Sequence, residues 1–310
     1  MYDVAIIGAG PAGYTASIYA SRYKLSNVIV GEVFGGQTAE STYIENYPTY
    51  LNIKGSDLMG KMRDHARHYN VEEVFDIVES ITGEAGNFIT KTKQGQEIQS
   101  KAIILALGGK RKSLGVEGEI PLVGKGVAYC TTCDAPFFKD KIVGIVGGSD
   151  AANTSSLYLS DVASKVYQIY RGDKLRGEPL WAEQVMNDPK VLVLFNTNIT
   201  KITGTEKLES VTLDKEFEGS TELKLDGLFI EVGSEPVTAL SNGLGMKLDE
   251  TGRIVVGPDQ KTNVEGIWAA GDITTNSDNF NQIITAAAEG AIAARNVFTY
   301  IKNQPSNKEM

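Results

Sequence analysis

The glycine pattern Gly8-x-Gly10-x-x-Gly13 follows the apolar run Val4-Ala5-Ile6-Ile7 and opens residues 12–23, which read as a helix. Few folds pass from strand to helix through glycines at this spacing. The first glycine permits a tight turn, the second lets the backbone approach a pyrophosphate, and the third allows close packing of helix on strand. Such turns also occur for packing alone, so the next elements matter. Val28-Ile29-Val30 reads as a second strand, and Glu32 stands 22 residues beyond Gly10, placed to bind a ribose hydroxyl. Strand, turn, helix, strand and acid in this order point to a bound dinucleotide.

The same plan occurs twice. Val143-Gly144-Ile145-Val146-Gly147-Gly148-Ser149-Asp150-Ala151-Ala152 matches residues 4–13 in pattern, 139 residues later. That period is far too long for a solenoid. Further strands are expected at 72–79, 87–93, 97–99 and 102–107, with a polar helix near 56–69. In the second half, strands are expected at 142–146, 165–170, 191–196, 199–203, 208–214 and 221–231, with helices at 151–160 and 181–187. Strands at 253–256 and 266–270 and a helix from 281 to 302 return to the first unit, before a polar tail from Asn303 to Met310. The fold class expected is α/β, with two Rossmann-like three-layer ββα domains, the second inserted into the first. The boundaries fall at 1–112 and 237–310 for the outer domain and 113–236 for the inner one.

Composition narrows the function. Thirty basic against 39 acidic residues leave a net charge of -9, which argues against nucleic acid as a partner but not against a phosphate held at a helix N-terminus. The 33 glycines cluster at turns instead of recurring at a fixed period. No run approaches 18 apolar residues, since 102–108 is short and 283–294 is broken by Glu289, so no membrane span is expected. Met1-Tyr2-Asp3 leads straight into a strand, without the charged start of a secretory signal, and a cytoplasmic location is expected.

Ile267-Trp268-Ala269-Ala270-Gly271-Asp272 is a strand ending in Gly-Asp upstream of a helix. An aspartate there can hydrogen-bond a sugar-alcohol chain, or simply cap the turn. Together with Gly8 to Gly13 and Leu105-Ala106-Leu107-Gly108-Gly109, this segment resembles the three-part pattern of FAD proteins in the two-dinucleotide flavoprotein group. FAD is the cofactor that the resemblance implies.

Cys130-Thr131-Thr132-Cys133 lies directly before Asp134 and just upstream of the second glycine turn. Two cysteines three apart can form half of a zinc site, with His65 and His68 as the remaining ligands. They can be buried and inert, or they can close a redox-active ring of lowered thiol pKa. Position between two nucleotide turns favours the last, with no metal.

With this pair in place the chain resembles the low-molecular-weight thioredoxin reductases over nearly its whole length. The matching segments are Gly8 to Gly13, Gly35-Gly36-Gln37-Thr38, Glu45-Asn46-Tyr47-Pro48, Cys130 to Asp134, Gly147 to Ala152, Ala269 to Ile273 and Asn281-Gln282-Ile283-Ile284-Thr285. The resemblance implies an FAD-dependent thioredoxin-disulfide reductase, a homodimer, and thioredoxin or a thioredoxin-like protein as partner. It implies that Cys133 lies next to the flavin, that Cys130 attacks the partner's disulfide, and that Asp134 is the acid and base for the thiols. On the FAD side it marks Gly8, Gly10, Pro11, Ala12, Gly13, Glu32, Gly36, Gln37, Thr38, Asn46, Gly108, Gly271, Asp272, Asn281, Gln282 and Ile283. On the pyridine-nucleotide side it marks Gly147, Gly148, Ser149, Asp150, Ala151, Arg171 and Arg176.

Three departures fall on the electron-donor side. Ser149 replaces a glycine of the second turn and adds a Cβ where backbone approaches a pyrophosphate. Gly172 replaces the second arginine of a His-Arg-Arg run, leaving Arg171 and Arg176 to hold a 2′-phosphate. Asn281 replaces an arginine before Gln282. NADPH ranks first as donor, NADH next and reduced ferredoxin third. Two other readings stand beside this one: the same chemistry run as an oxygen-using flavin disulfide oxidase, and a non-catalytic redox sensor, which has no need of the acid at Asp134.

Overall fold

The computed structural model describes residues 1–304, apart from the side chains of Asn242 and Asn279. In chain order the first elements are β1 (Tyr2–Ile7), α1 (Pro11–Arg22), β2 (Asn27–Val30), α2 (Gly36–Ala39), α3 (Gly55–Arg67), β3 (Glu72–Val74), β4 (Val78–Glu84), β5 (Asn87–Thr92), β6 (Glu97–Leu105) and β7 (Gly109–Arg111). The middle of the chain forms β8 (Val127–Ala128), α4 (Thr131–Asp134), β9 (Ile142–Val146), α5 (Asp150–Val162), β10 (Lys165–Ile169) and α6 (Pro179–Asn187). It continues through β11 (Val191–Leu194), β12 (Ile199–Gly204), β13 (Leu208–Phe217), β14 (Ser220–Lys224) and β15 (Gly227–Ile230). The last elements are β16 (Ser234–Pro236), α7 (Ala239–Gly243), β17 (Ile267–Ala269) and α8 (Ile283–Asn303).

These elements form two compact units. One comprises Met1–Ala39, Ile44–Lys110 and the chain from Glu235 onward; the other comprises Glu40–Tyr43 and Arg111–Ser234. Glu40–Tyr43 thus cluster with the second unit, although they lie inside the stretch expected for the outer domain.

In the first unit the strand order is β3-β2-β1-β6-β5-β4, with β17 also paired to β6. The pairs among β3, β2, β1, β6 and β17 are parallel, whereas β4, β5 and β6 form an antiparallel meander. Alternation along β1 separates two cores. Val4 and Ile6 pack with α1 and α8 residues such as Ala16 and Ala293, while Ala5 and Ile7 pack with Ile81, Phe88 and Ile98 of the meander. The result is the three-layer ββα arrangement. The second unit repeats it: a parallel sheet in the order β11-β10-β9-β15-β8 and an antiparallel sheet β12-β13-β14. Val143 and Ile145 face Ala152 and Leu159 of α5, and Val146 and Ile169 face Val211 and Leu213 of the antiparallel sheet.

Several expected elements take different form. The strands expected at 97–99 and 102–107 are one nine-residue strand, β6, whose first half pairs with β5 and whose second half pairs with β17. The strand expected at 221–231 divides at Leu225 and Asp226 into β14 and β15, in different sheets, because Asp226 N–H bonds Ile142 O and turns the chain. Residues 253–256 form no ladder; Ile254 makes isolated bridges to Leu248 and Thr274. The polar tail begins later than expected, since α8 includes Asn303, and 305–310 lie outside the described residues. Among the described residues no helix is long and apolar enough to cross a membrane.

Candidate functional site

Both glycine turns are built on the same hydrogen-bond frame. Gly8 N–H donates to Val30 O (2.7 Å) and Gly147 N–H to Ile169 O (3.1 Å); Ala106 N–H donates to Ile7 O (2.7 Å) and Glu231 N–H to Val146 O (2.9 Å). The first glycine has φ +126° in one turn and +146° in the other. A Cβ there would lie 2.1 Å from Ala106 O or 2.3 Å from Glu231 O, so only glycine fits. Gly13 is required in the same way, its Cβ falling 1.9 Å from Gly8 O.

The first turn leaves an open cradle. A Cβ on Gly10 would meet nothing within 4 Å, and Gly10 N-caps α1 without a side-chain cap bond. The N–H groups of that first turn, behind Pro11 and Ala12, suit a pyrophosphate. Glu32 is exposed, separated from the end of β2 by Gly31 alone, where its carboxylate suits a ribose hydroxyl. Gly36 starts α2, Thr38 is half-buried, and Gln37 Nε2 donates to Gly109 O (2.5 Å) beside Gly108. Asn46 Nδ2 donates to Gln282 Oε1 (3.0 Å), and Gln282 N-caps α8 in a capping box with Thr285, ahead of Ile283. Asn281 is exposed. Asp272 follows β17 and Gly271. Burial, and then the neighbouring Glu289, push its carboxyl up to about 6, with Arg253 opposing. No side chain among the described residues hydrogen-bonds that carboxyl, so a hydroxyl-bearing ligand suits it. The FAD-side residues thus lie in one unit, at or following the C-terminal ends of β1, β2, β6 and β17, and they fit a flavin dinucleotide.

Cys130 and Cys133 are joined in a disulfide, with Cα atoms 5.3 Å apart. This leaves no thiolate for zinc, and His65 of α3 and His68, its C-cap, pack against the Tyr69 ring that follows. Cys130 N-caps the short helix α4, where its Sγ accepts the Cys133 N–H (3.3 Å). Cys133 is exposed, Cys130 is half-buried, and burial pushes the Asp134 carboxyl up. Thr132, between the cysteines, donates to Glu40 O and lies 2.5 Å from the Thr42 hydroxyl. Arg111 bridges Glu40 (2.7 Å) and Glu231 (2.5 Å), and burial pushes Glu231 up despite that cation.

On the donor side, Ser149 N-caps α5 with φ −105° and ψ −178°, close to the −93° and −170° of Gly10. That backbone accepts any residue, so serine carries no conformational cost there. Ala151 is exposed and Ala152 buried. The loop after β10 folds onto the turn: Arg176 N–H donates to Gly148 O (2.6 Å), Asn153 Nδ2 to Arg176 O (3.1 Å), and Glu178 N–H to Asp150 Oδ1 (2.7 Å). Burial pushes the Asp150 carboxyl up. Arg171 and Arg176 are exposed, the latter 5.9 Å from the Tyr170 ring centroid. The Gly172 departure has a steric cause, since a Cβ there would lie 2.6 Å from Tyr170 Cε1.

Sequence reasoning missed Arg111, Tyr170 and Glu289. Their roles depend on partners far along the chain or on the space around them, and no local spacing signals that.

Comparison with known proteins agrees with this geometry. A family profile described as pyridine nucleotide-disulphide oxidoreductase matches residues 2–290. Thioredoxin reductase of Bacillus subtilis is 40% identical over 307 residues, covering 97% of this chain and 95% of that one. Thioredoxin reductase of Listeria innocua is 39% identical over 306 residues, covering 97% and 94%. The crystal structure of Lactococcus lactis thioredoxin reductase superposes with a TM-score of 0.92 at 33% identity, covering 97% and 99%.

Proposed function

The chain belongs to the pyridine nucleotide-disulphide oxidoreductase family, and we propose that within it this protein works as a thioredoxin-disulfide reductase. The carrying observation is the Cys130–Cys133 disulfide, followed in the chain by Asp134, in the unit that also holds the second glycine turn. The first unit binds FAD and the second binds NADPH, with NADH as the weaker alternative. A homodimer working in a reducing cytoplasm completes the reading, supported by the resemblance.

Bound flavin supplies a two-electron relay between nicotinamide and disulfide; a hydride and a proton leave as the two hydrogens of the target's dithiol. The chain's residues manage binding and protons. Gly10 and the N-terminus of α1 take the pyrophosphate, Glu32 a ribose, and Asp272 the sugar-alcohol chain. Arg171 and Arg176 take the 2′-phosphate of the donor. Opening the disulfide creates a thiolate that needs a proton. Asp134, its proton affinity raised by burial, holds one closer to neutral pH than an exposed carboxyl does. Cys130 then attacks the thioredoxin disulfide, and the N–H of Cys133 aimed at its Sγ stabilises the thiolate form.

An anaerobic titration tests the reading. NADPH bleaches the yellow flavin band, and added oxidised thioredoxin restores it. Protein that bleaches with reduced ferredoxin but with neither pyridine nucleotide refutes the donor; protein that takes up no FAD refutes the whole.

A further inference from the structure

Glu289 sits among Ala286, Ala287, Gly290 and Ala293 on the buried face of α8 and is 5% exposed. A helix packed on alanines gains nothing by burying a carboxylate unless that group is fully hydrogen-bonded. Its Oε2 accepts the Gly271 N–H (2.7 Å) and the Thr274 hydroxyl (3.0 Å), and its Oε1 accepts the Ser277 hydroxyl (2.6 Å). All three donors lie in the loop between β17 and α8. Among the described residues no cation pairs with it.

That loop needs an anchor. Gly271 has φ +80°, and the side-chain-bearing Ser277 and Asp278 have φ +57° and +50°, a region such residues rarely occupy. Asp272 lies between Gly271 and Thr274, two of the residues that Glu289 grips.

We propose that Glu289 is a positioning residue for the flavin, its carboxylate clamping the 271–277 loop so that Asp272 meets the sugar-alcohol chain. The proposal rests on the FAD reading of the first unit. Glu289 also acts by charge. The groups that bear on Asp272 are Glu289 from α8 and Arg253 from the 249–256 segment, and the first opposes ionisation while the second favours it. A carboxylate accepts hydroxyl hydrogen bonds more strongly than a carboxylic acid. FAD binding therefore tightens as pH rises through about 6, the value to which Asp272 is pushed. Removing the Glu289 charge moves that midpoint to lower pH.

The test is release of FAD from the purified holoprotein on dilution, read as free-flavin fluorescence from pH 5 to 8. Glu289→Ala weakens retention on the order of a hundredfold, as expected for hydrogen bonds to a buried charge. Glu289→Gln keeps an acceptor for Gly271 N–H and weakens it about tenfold, while its pH midpoint falls. Thr274→Val removes one donor and weakens retention without moving the midpoint. Should Glu289→Ala fail to fold, the other two variants still decide. Wild-type retention in Glu289→Ala, or a Glu289→Gln profile superimposable on wild type, overturns the clamp while leaving the FAD reading intact. Wild-type protein that holds no FAD overturns both.

Discussion

The ring of Tyr170 fills the space in which a side chain on Gly148 would begin: a Cβ on Gly148 falls 2.6 Å from three of its ring carbons. The first glycine turn makes the same contact with sizes exchanged. Ala9 stands at the position of Gly148, and it faces Gly31, whose Cβ would lie 3.1 Å from that of Ala9. In each pair one partner is glycine, and a Cβ on it would press on the other. Tyr170 further imposes glycine at 172, where the resemblance leads one to expect arginine.

The arginine is therefore recoverable only if the ring leaves. Gly172→Arg alone destabilises the protein by about 1–3 kcal/mol through overpacking and does not improve NADP⁺ binding. Tyr170→His with Gly172→Arg tightens NADP⁺ about tenfold, as one added charged contact does, and leaves NAD⁺ unchanged. Calorimetric titration of both nucleotides checks this. A gain in the single variant refutes the steric coupling.

Cys130→Ser separates the two halves of the reaction. Flavin bleaching by NADPH survives, because Cys130 takes no part in it, while thioredoxin reduction falls to background. Persistent thioredoxin turnover in that variant sinks the assignment of Cys130 as nucleophile.

Asp272 imposes a pH dependence on the flavin-free protein. Its folded value of about 6 lies above the usual 3.8, so between these values the folded state holds a proton that the unfolded chain has lost. Stability is highest below the lower value and falls as pH rises toward the upper one. Asp272→Asn removes that slope and raises the apo-protein melting temperature above pH 6, but not at pH 3.5. Equal melting shifts at both pH values contradict the assignment.

Arg111 neutralises two acids in the second unit. Replacing it with Met costs about 3 kcal/mol, because it leaves Glu231 buried without its cation. The loss is smaller at pH 5 than at pH 8: removing Arg111 raises the proton affinity of Glu231 further, and protonation relieves the charge. Adding Glu231→Gln to the variant restores most of the stability. Urea unfolding at the two pH values reads both effects, and a penalty independent of pH rules out Glu231 as its source.

Much of the site was legible in the chain because its determinants are local. The Gly8 and Gly147 turns, the strands before them and the helices after them lie within about ten residues of each other, and steric rules at φ > 0 admit almost no other residue. The Cys130–Cys133 pair was legible for the same reason, since a spacing of three sets what the two sulfurs can reach. That the backbone at Ser149 is extended like that of Gly10 was not legible in the pattern, because its angles are set by how the turn packs against the strand and helix around it.

By itself the sequence determined the α/β class, the repeat of one nucleotide-binding plan with its two glycine turns, and a cysteine pair spaced so that it can close a disulfide. These follow from periodicity, glycine sterics and short spacings. Only the tertiary structure decided that 97–105 is one strand with three partners, β1, β5 and β17, and that 221–231 divides between two sheets. It alone paired Glu289 with the Gly271 loop, Arg111 with Glu40 and Glu231, and Tyr170 with two glycines. Such choices depend on which distant groups share a space or a hydrogen bond. A buried carboxylate or ring carries no mark of its partner until the chain has folded around it.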